Sequence, residues 1–270
     1  MPYVANARMY SVNPPAAAAW KDLFGWLARG SGVDLDIIDH AFPLPLADLW
    51  ARNDLACAFM CGFPFMLAAH RPRPVVAPVP TKAAIRGRPV YVTRLVVRAD
   101  SPFHTIEDTF DGRLGYTVAD SHSGYNALRH HLLPYFLQRG AKLYRESIGP
   151  LTTPRRVIEA LLTGAIDVGP LDGYALDLMQ HHQPELTSDI RVVATTDPAP
   201  IPFLVAAPGC PDEIVAILQA TLATFADAPA CAGLRERLRL DAFAPVAVED
   251  YGLMTRWDAE VRAAGYPQPA

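Results

Sequence analysis

Short apolar runs of strand length alternate along this chain with segments whose apolar residues recur at helical spacing, and that alternation restricts the fold more than any other feature. Tyr3 to Met9 reads as a strand. After Asn13-Pro14-Pro15, the residues Trp20, Leu23, Phe24 and Leu27 fall at i, i+3, i+4 and i+7 on one helical face, with Pro15 in the first turn and Gly30 just past the end. Val33 to Ile38 then reads as a strand, Leu46 to Ala51 as a short helix, and Leu55 to Met60 and Val75 to Val79 as strands. The β-branched run Val90 to Val97 completes this set, and Asp100-Ser101-Pro102 marks a break. A second set follows, with strands Leu114 to Val118, Lys142 to Glu146, Ala165 to Val168 and Ile190 to Ala194, and helices Ser123 to about Arg139 and Arg155 to Leu162. Beyond the cluster Pro198-Ala199-Pro200-Ile201-Pro202, the strand Phe203 to Ala206 leads into a pattern that reads as helical to the end. Such alternation predicts α/β units around mostly parallel sheets.

The two sets join near residues 97–100 and again near 196–202. A chain that leaves one lobe, builds a second and returns makes two crossovers, so residues 1–98 and 198–270 are expected in one lobe and 99–197 in the other. Ligands on open α/β sheets bind at the carboxyl ends of the strands, which predicts a ligand cleft between the lobes.

Charge narrows the partners. Lys+Arg 24 against Asp+Glu 28 gives a net charge of −4, so no global positive field exists to hold a nucleic-acid backbone or an anionic membrane. A small cationic or dipolar site for a single anion remains compatible with it. The longest uncharged apolar stretch, Leu55 to Ala69, contains Gly62 and Pro64 and falls short of the ~20 residues of a membrane span. No direct membrane insertion is expected. Four cysteines, Cys57, Cys61, Cys210 and Cys231, do not make a disulfide framework in a chain this long, and buried thiols are expected. The opening residues carry no export signal, which implies the periplasm if a leader was removed and the cytoplasm otherwise.

The strongest local signal is Gly115-Tyr116-Thr117-Val118-Ala119-Asp120-Ser121-His122-Ser123-Gly124-Tyr125. A strand ends in small hydroxyl residues and the chain enters a helix, so hydroxyls and backbone N–H groups converge where the helix dipole is positive. That arrangement suits a small anion; it equally suits plain N-capping by Ser121 or Ser123. Asp172, at the carboxyl end of a strand, is placed either to accept hydrogen bonds from a ligand or to cap the helix starting near Gly173. In Cys61-Gly62-Phe63-Pro64, Gly62 would let a backbone N–H approach a ligand or form a tight turn on the core. Nucleophile-elbow, Walker, dinucleotide-binding and H-E-x-x-H patterns are absent from the sequence. The pairs His130-His131 and His181-His182 are adjacent, so on a helix their side chains diverge by about 100° and do not readily share a metal. No metal site, cofactor or catalytic residue is expected.

In its order of segments the chain resembles the type II periplasmic binding proteins, and among them the phosphate/phosphonate-binding components of ABC importers. The resemblance is carried by Arg8-Met9-Tyr10, Cys61-Gly62-x-Pro64, Tyr91 to Arg98 with Asp100-Ser101-Pro102, Asp111-Gly112, Ser121-x-Ser123-Gly124, the run from Gly164 through Asp167 to Asp172, and Thr196 to Pro202. It implies that Ser121, Ser123 and Gly124 cradle a phosphoryl group, that Tyr10 and Tyr91 close over the ligand from the first lobe, and that Asp172 meets a ligand amine. His122, Tyr125, Cys61, Gly62 and Thr196 complete the expected ligand set. One departure is clear: the Gly-x-His turn usual ahead of the second-lobe helix is replaced by Gly149-Pro150-Leu151-Thr152-Thr153, whose threonine hydroxyls stand in for the lost donor. The expected function is therefore a monomeric, non-catalytic receptor for a small oxyanion, phosphate or phosphonate-like, serving ABC-transporter membrane subunits. The alternative is an enzyme on the same fold, similar to the leaderless chorismate dehydratases or the thiamine-pyrimidine synthases.

Overall fold

The computed structural model describes residues 2–81 and 87–270. The chain packs as two compact units, Met1–Val90 with Pro200–Val248, and Tyr91–Ala199 with Glu249–Ala270.

In the first unit the apolar runs become a five-stranded mixed sheet. Tyr3–Asn6 lies between Leu35–Ile37 and Leu55–Met60 and is parallel to both, while Phe203–Ala206 joins Leu55–Met60 antiparallel and Arg73–Pro74 forms the far edge. Leu55–Met60 and Phe203–Ala206 are buried at every position, as their unbroken apolar sequences require. The helix Pro14–Ser31 starts where Asn13 Oδ1 accepts from the Ala16 N–H, tolerates two prolines in its first turn and ends at Gly32, whose φ of 70° favours glycine. Its Trp20 stacks edge-on against Phe59 at 4.9 Å, seating the predicted apolar face on the sheet. Two elements differ from expectation. Gly62–Leu67 is helical, and Leu240–Ala244 is a strand paired antiparallel with Ala77–Pro80 where a helical continuation was expected. The buried positions of that strand are Leu240 and Phe243, and an irregular register between Leu240 and Ala242 removes the strict alternation by which a strand is read from sequence.

In the second unit Thr93–Arg98 is the central strand, antiparallel to both Gly169–Asp172 and Ile190–Thr195, so this sheet is not parallel. Arg113–Gly115 and Glu146–Ile148 form a parallel pair beside it. The expected strand Ala165 to Val168 slides to Gly169–Asp172, because Asp167 is held by Arg113, with oxygens 3.0 and 3.1 Å from the guanidinium and 2.7 Å from the Arg113 N–H. Leu95, Val97, Leu114, Leu128, Leu132, Leu143, Tyr144 and Val168 make the core of this unit.

Three corrections to the expected organisation follow from these pairings. The first passage of the chain falls at 90/91, not near 98, because Thr93–Arg98 hydrogen-bonds only to strands of the second unit. Tyr91 accordingly belongs to the second unit, not the first lobe. A second passage falls at 199/200, and a further one at 248/249 brings the helix Gly252–Ala263 into the second unit. There Asp258 accepts from the buried Arg129 at 2.5 Å and Trp257 stacks on His130 at 4.3 Å. All four cysteines are buried and unbridged.

Candidate functional site

Within the first unit, two adjacent parallel strands, Tyr3–Asn6 and Leu55–Met60, deliver their carboxyl ends side by side. The turn Arg8–Tyr10 follows the first and the helix Gly62–Leu67 the second, so Tyr10, Cys61 and Gly62 share that end of the sheet, the end at which open α/β sheets bind ligands. Tyr10 is buried, edge-on to Phe59 at 4.9 Å and stacked beside Trp20. Cys61 and Gly62 are buried as well, and the Cys61 carbonyl accepts from the Phe65 N–H as the helix begins.

In the second unit one residue organises the site. Thr93 donates its hydroxyl to the Ser123 carbonyl at 3.1 Å, receives the Thr196 N–H on its carbonyl at 3.0 Å and gives its own N–H to the Thr196 hydroxyl at 2.9 Å. Asp172 lies directly across from Thr93 in the sheet, and the Tyr91 ring stands 6.2 Å from that of His122. Tyr91, His122, Ser123, Asp172 and Thr196 are thus gathered around Thr93, which the sequence shows only as a member of the β-branched run Val90 to Val97. Its signal was being the one polar residue on the buried positions Thr93, Leu95 and Val97.

The serine turn is more specialised than a helix start. Ser121 Oγ accepts from the Gly124 N–H at 3.0 Å, and His122–Asn126 then form a π-helical turn, closed by Asn126 N–H to Ser121 carbonyl at 3.0 Å, before α-helix Ala127–Arg139 begins. Single π-turns inside helices are rare and are frequent at functional sites. The capping expectation for Ser121 is met, and because its oxygen is the acceptor, its hydroxyl hydrogen is left to donate. Gly124 is required here: a Cβ would overlap the Thr117 hydroxyl oxygen outright, with the Thr117 Cβ at 2.8 Å and the Ser121 hydroxyl at 3.0 Å. Thr117 is in turn fixed on both sides, its N–H donating to the Gly124 carbonyl at 3.2 Å and its carbonyl accepting from Thr152 at 3.1 Å. Thr152 has φ of 67°, an outlier for a β-branched residue and the kind of strain that clusters at binding sites. Thr153 is occupied otherwise, capping Pro154–Leu162 through the Arg156 N–H.

The remaining expected residues are committed to packing. The His122 ring stacks on Trp257 at 5.4 Å with its Nδ1 3.3 Å from the Asn126 amide, and burial, with a smaller effect of His130, pushes its pKa down to about 3. It is a neutral ring at physiological pH. The Tyr125 hydroxyl donates to the Pro267 carbonyl at 3.2 Å, under the Arg129 guanidinium. Asp172 Oδ1 accepts from the N–H groups of Tyr174 and Ala175, which realises its capping role. Among the described residues no group of His, Cys, Asp and Glu is arranged to hold a metal ion, and no helix is long and apolar enough to cross a membrane.

Two α/β units, with turns at the carboxyl ends of parallel strands in one and a hydroxyl-lined, serine-capped turn in the other, define the class of type II periplasmic binding proteins. Over residues 10–251 the chain matches the family described as ABC transporter, phosphonate, periplasmic substrate-binding protein, and it belongs to that family. It is a substrate-binding protein and not an enzyme. The fold is similar to that of a binding-protein component of an ABC phosphonate transporter from Pseudomonas aeruginosa, 15% identical over 98% of this chain and 97% of the other, with a TM-score of 0.74. It is similar also to PhnD1 from Prochlorococcus marinus in complex with methylphosphonate, 13% identical over 96% and 98%, TM-score 0.74. A third is XAC2383 from Xanthomonas citri bound to ATP, 18% identical over 97% and 98%, TM-score 0.62. No curated protein matches the chain in sequence.

Proposed function

We propose that this protein captures a small tetrahedral oxyanion, phosphonate or phosphate, at the Ser121–Gly124 turn and delivers it to the membrane subunits of an ABC importer from the periplasm. The observation that carries the reading is the serine turn itself: a π-turn capped by Ser121 and closed by a glycine that no other residue can replace without displacing Thr117. Helix-start N–H groups and hydroxyls attract an anion without a fixed cation. The basic side chain beside the turn, Arg129, is neutralised by Asp258, and His122 is uncharged, so the recognition is dipolar. Hydrogen bonds to a charged group contribute ~1.5–3 kcal/mol each. Four or five of them, less the cost of ordering, reach the roughly 8 kcal/mol of a micromolar complex. In the proposed site Tyr91, Asp172 and Thr196 accompany the serine turn within the second unit; the protein acts as a monomer.

The test is calorimetric titration and thermal shift with methylphosphonate, ethylphosphonate, inorganic phosphate, methanesulfonate and acetate. Stabilisation by the phosphorus oxyanions in preference to acetate is expected. No response to any of the phosphorus oxyanions, or a response to acetate alone, refutes the proposal.

A further inference from the structure

The geometry points to Thr117 as a further ligand-contacting residue of the oxyanion site, its hydroxyl donating to the same anion as the serine turn. This rests on the reading of that turn as an oxyanion cradle and adds to it a residue that lay outside the expected ligand set. Three observations carry it. Thr117 is 7% exposed, and its Oγ1 is buried without a hydrogen-bond partner. The backbone on either side is fully engaged, with Gly124 and with Thr152, so the orphaned hydroxyl is not the by-product of a loose loop. Finally, the notch over the Gly124 Cα is shared by the hydroxyls of Thr117 and Ser121, since a single Cβ placed there would touch both.

A buried hydroxyl without a partner is a standing cost to the empty protein, and a natural chain that retains one has a use for it. Valine would fill the same volume at no such cost. Glycine at 124 is what allows a β-branched hydroxyl residue to lie this close to the turn, and the strained Thr152 backbone holds the Thr117 carbonyl from the opposite side. A hydroxyl next to the Ser121 hydroxyl extends the cradle by one donor, which matches the several terminal oxygens of a tetrahedral oxyanion better than the two of a planar carboxylate.

The experiment compares wild type with Thr117→Val, Thr117→Ser and Thr117→Ala by titration with methylphosphonate and with inorganic phosphate, together with thermal denaturation of the ligand-free proteins. For Thr117→Val, affinity is expected to fall about 10- to 100-fold, the scale of a lost hydrogen bond to a charged group, while ligand-free thermal stability holds or rises because the orphaned hydroxyl is gone. Thr117→Ser, which keeps the hydroxyl, is expected to bind close to wild type. If Thr117→Val fails to fold, Thr117→Ala and Thr117→Ser differ by the hydroxyl alone and carry the same comparison. Unchanged affinity on removing the hydroxyl, or an equal loss in Thr117→Ser, overturns the inference while leaving the oxyanion reading intact. Failure of the wild type to bind either probe refutes the oxyanion reading itself.

Discussion

Gly124→Ala puts the architecture of the serine turn under direct strain. The added Cβ would overlap the Thr117 hydroxyl and stand 2.8 Å from the Thr117 Cβ and 3.0 Å from the Ser121 Oγ, inside the distances that real side chains adopt. Relief by rotation is blocked, because threonine is stiff at χ1 and its Cβ collides whichever rotamer it takes. Relief by backbone movement is blocked too, since Thr117 is bonded to Gly124 at 3.2 Å and to Thr152 at 3.1 Å. Overpacking of this kind costs ~1–3 kcal/mol, and at ~2–4 °C per kcal/mol for a chain of this size the melting temperature should fall by roughly 2–12 °C. Affinity for methylphosphonate should fall as well, because the turn is forced off the Ser121 cap that presents its hydroxyls. Paired urea denaturation and titration read the two effects separately. The decisive control is the same substitution in a Thr117→Gly background, where both clashing Thr117 atoms are absent and most of the added penalty should vanish, a coupling within the ~0.5–3 kcal/mol seen for touching residues. A Gly124→Ala protein as stable and as tight-binding as wild type, or a penalty unchanged in the Thr117→Gly background, would refute the reasoning.

Other substitutions separate capping from binding. Ser121→Ala should cost ~1 kcal/mol of stability through the lost cap and weaken oxyanion binding, whereas Ser123→Ala should weaken binding by ~1–2 kcal/mol with little change in denaturation midpoint; the opposite pattern would make Ser123 the structural residue. His122 folds with its pKa lowered to about 3 from the usual ~6.5, so the unfolded chain binds the extra proton between those values. Its share of stability is therefore complete above pH ~6.5 and drains away toward pH ~3 at up to ~1.4 kcal/mol per pH unit; His122→Gln should flatten that acid limb relative to wild type, and an identical slope would argue against the buried neutral ring. Burial pushes the Asp258 carboxyl up, but its bonds from Arg129 and Arg262 outweigh this and leave it below its usual value. The stability it confers is present above pH ~4 and lost as pH falls through the folded value, so Asp258→Asn should be least damaging, relative to wild type, in the most acid buffers.

How much of this was legible in the sequence depended on the range of the interactions involved. Leu55–Met60 and Phe203–Ala206 appear with the expected bounds because an unbroken apolar run needs burial on both faces, a constraint local to the run. The serine turn was visible for the same reason: cap, hydroxyls and glycine lie within four residues. What the reading missed was decided by partners far along the chain. Tyr91 and the strand after it look like the end of the first set of units, and only the pairing of Thr93–Arg98 with Gly169–Asp172 and Ile190–Thr195, more than 70 residues on, assigns them to the second. The C-terminal helix has an ordinary amphipathic pattern, and what places it are partners far along the chain: Arg129 reaches Asp258 across 129 positions, Asn126 donates to the Met254 carbonyl, and His122 and His130 stack on Trp257. Thr117 falls within the expected strand Leu114 to Val118, yet the strand ends at Gly115 and the Thr117 hydroxyl meets the turn only once Gly124 folds back onto it. A local pattern can therefore nominate a ligand turn and a nearby hydroxyl such as that of Thr152, but the residues that brace the turn from a distance, here Thr93 and Thr117, become identifiable only when the tertiary hydrogen bonds are known.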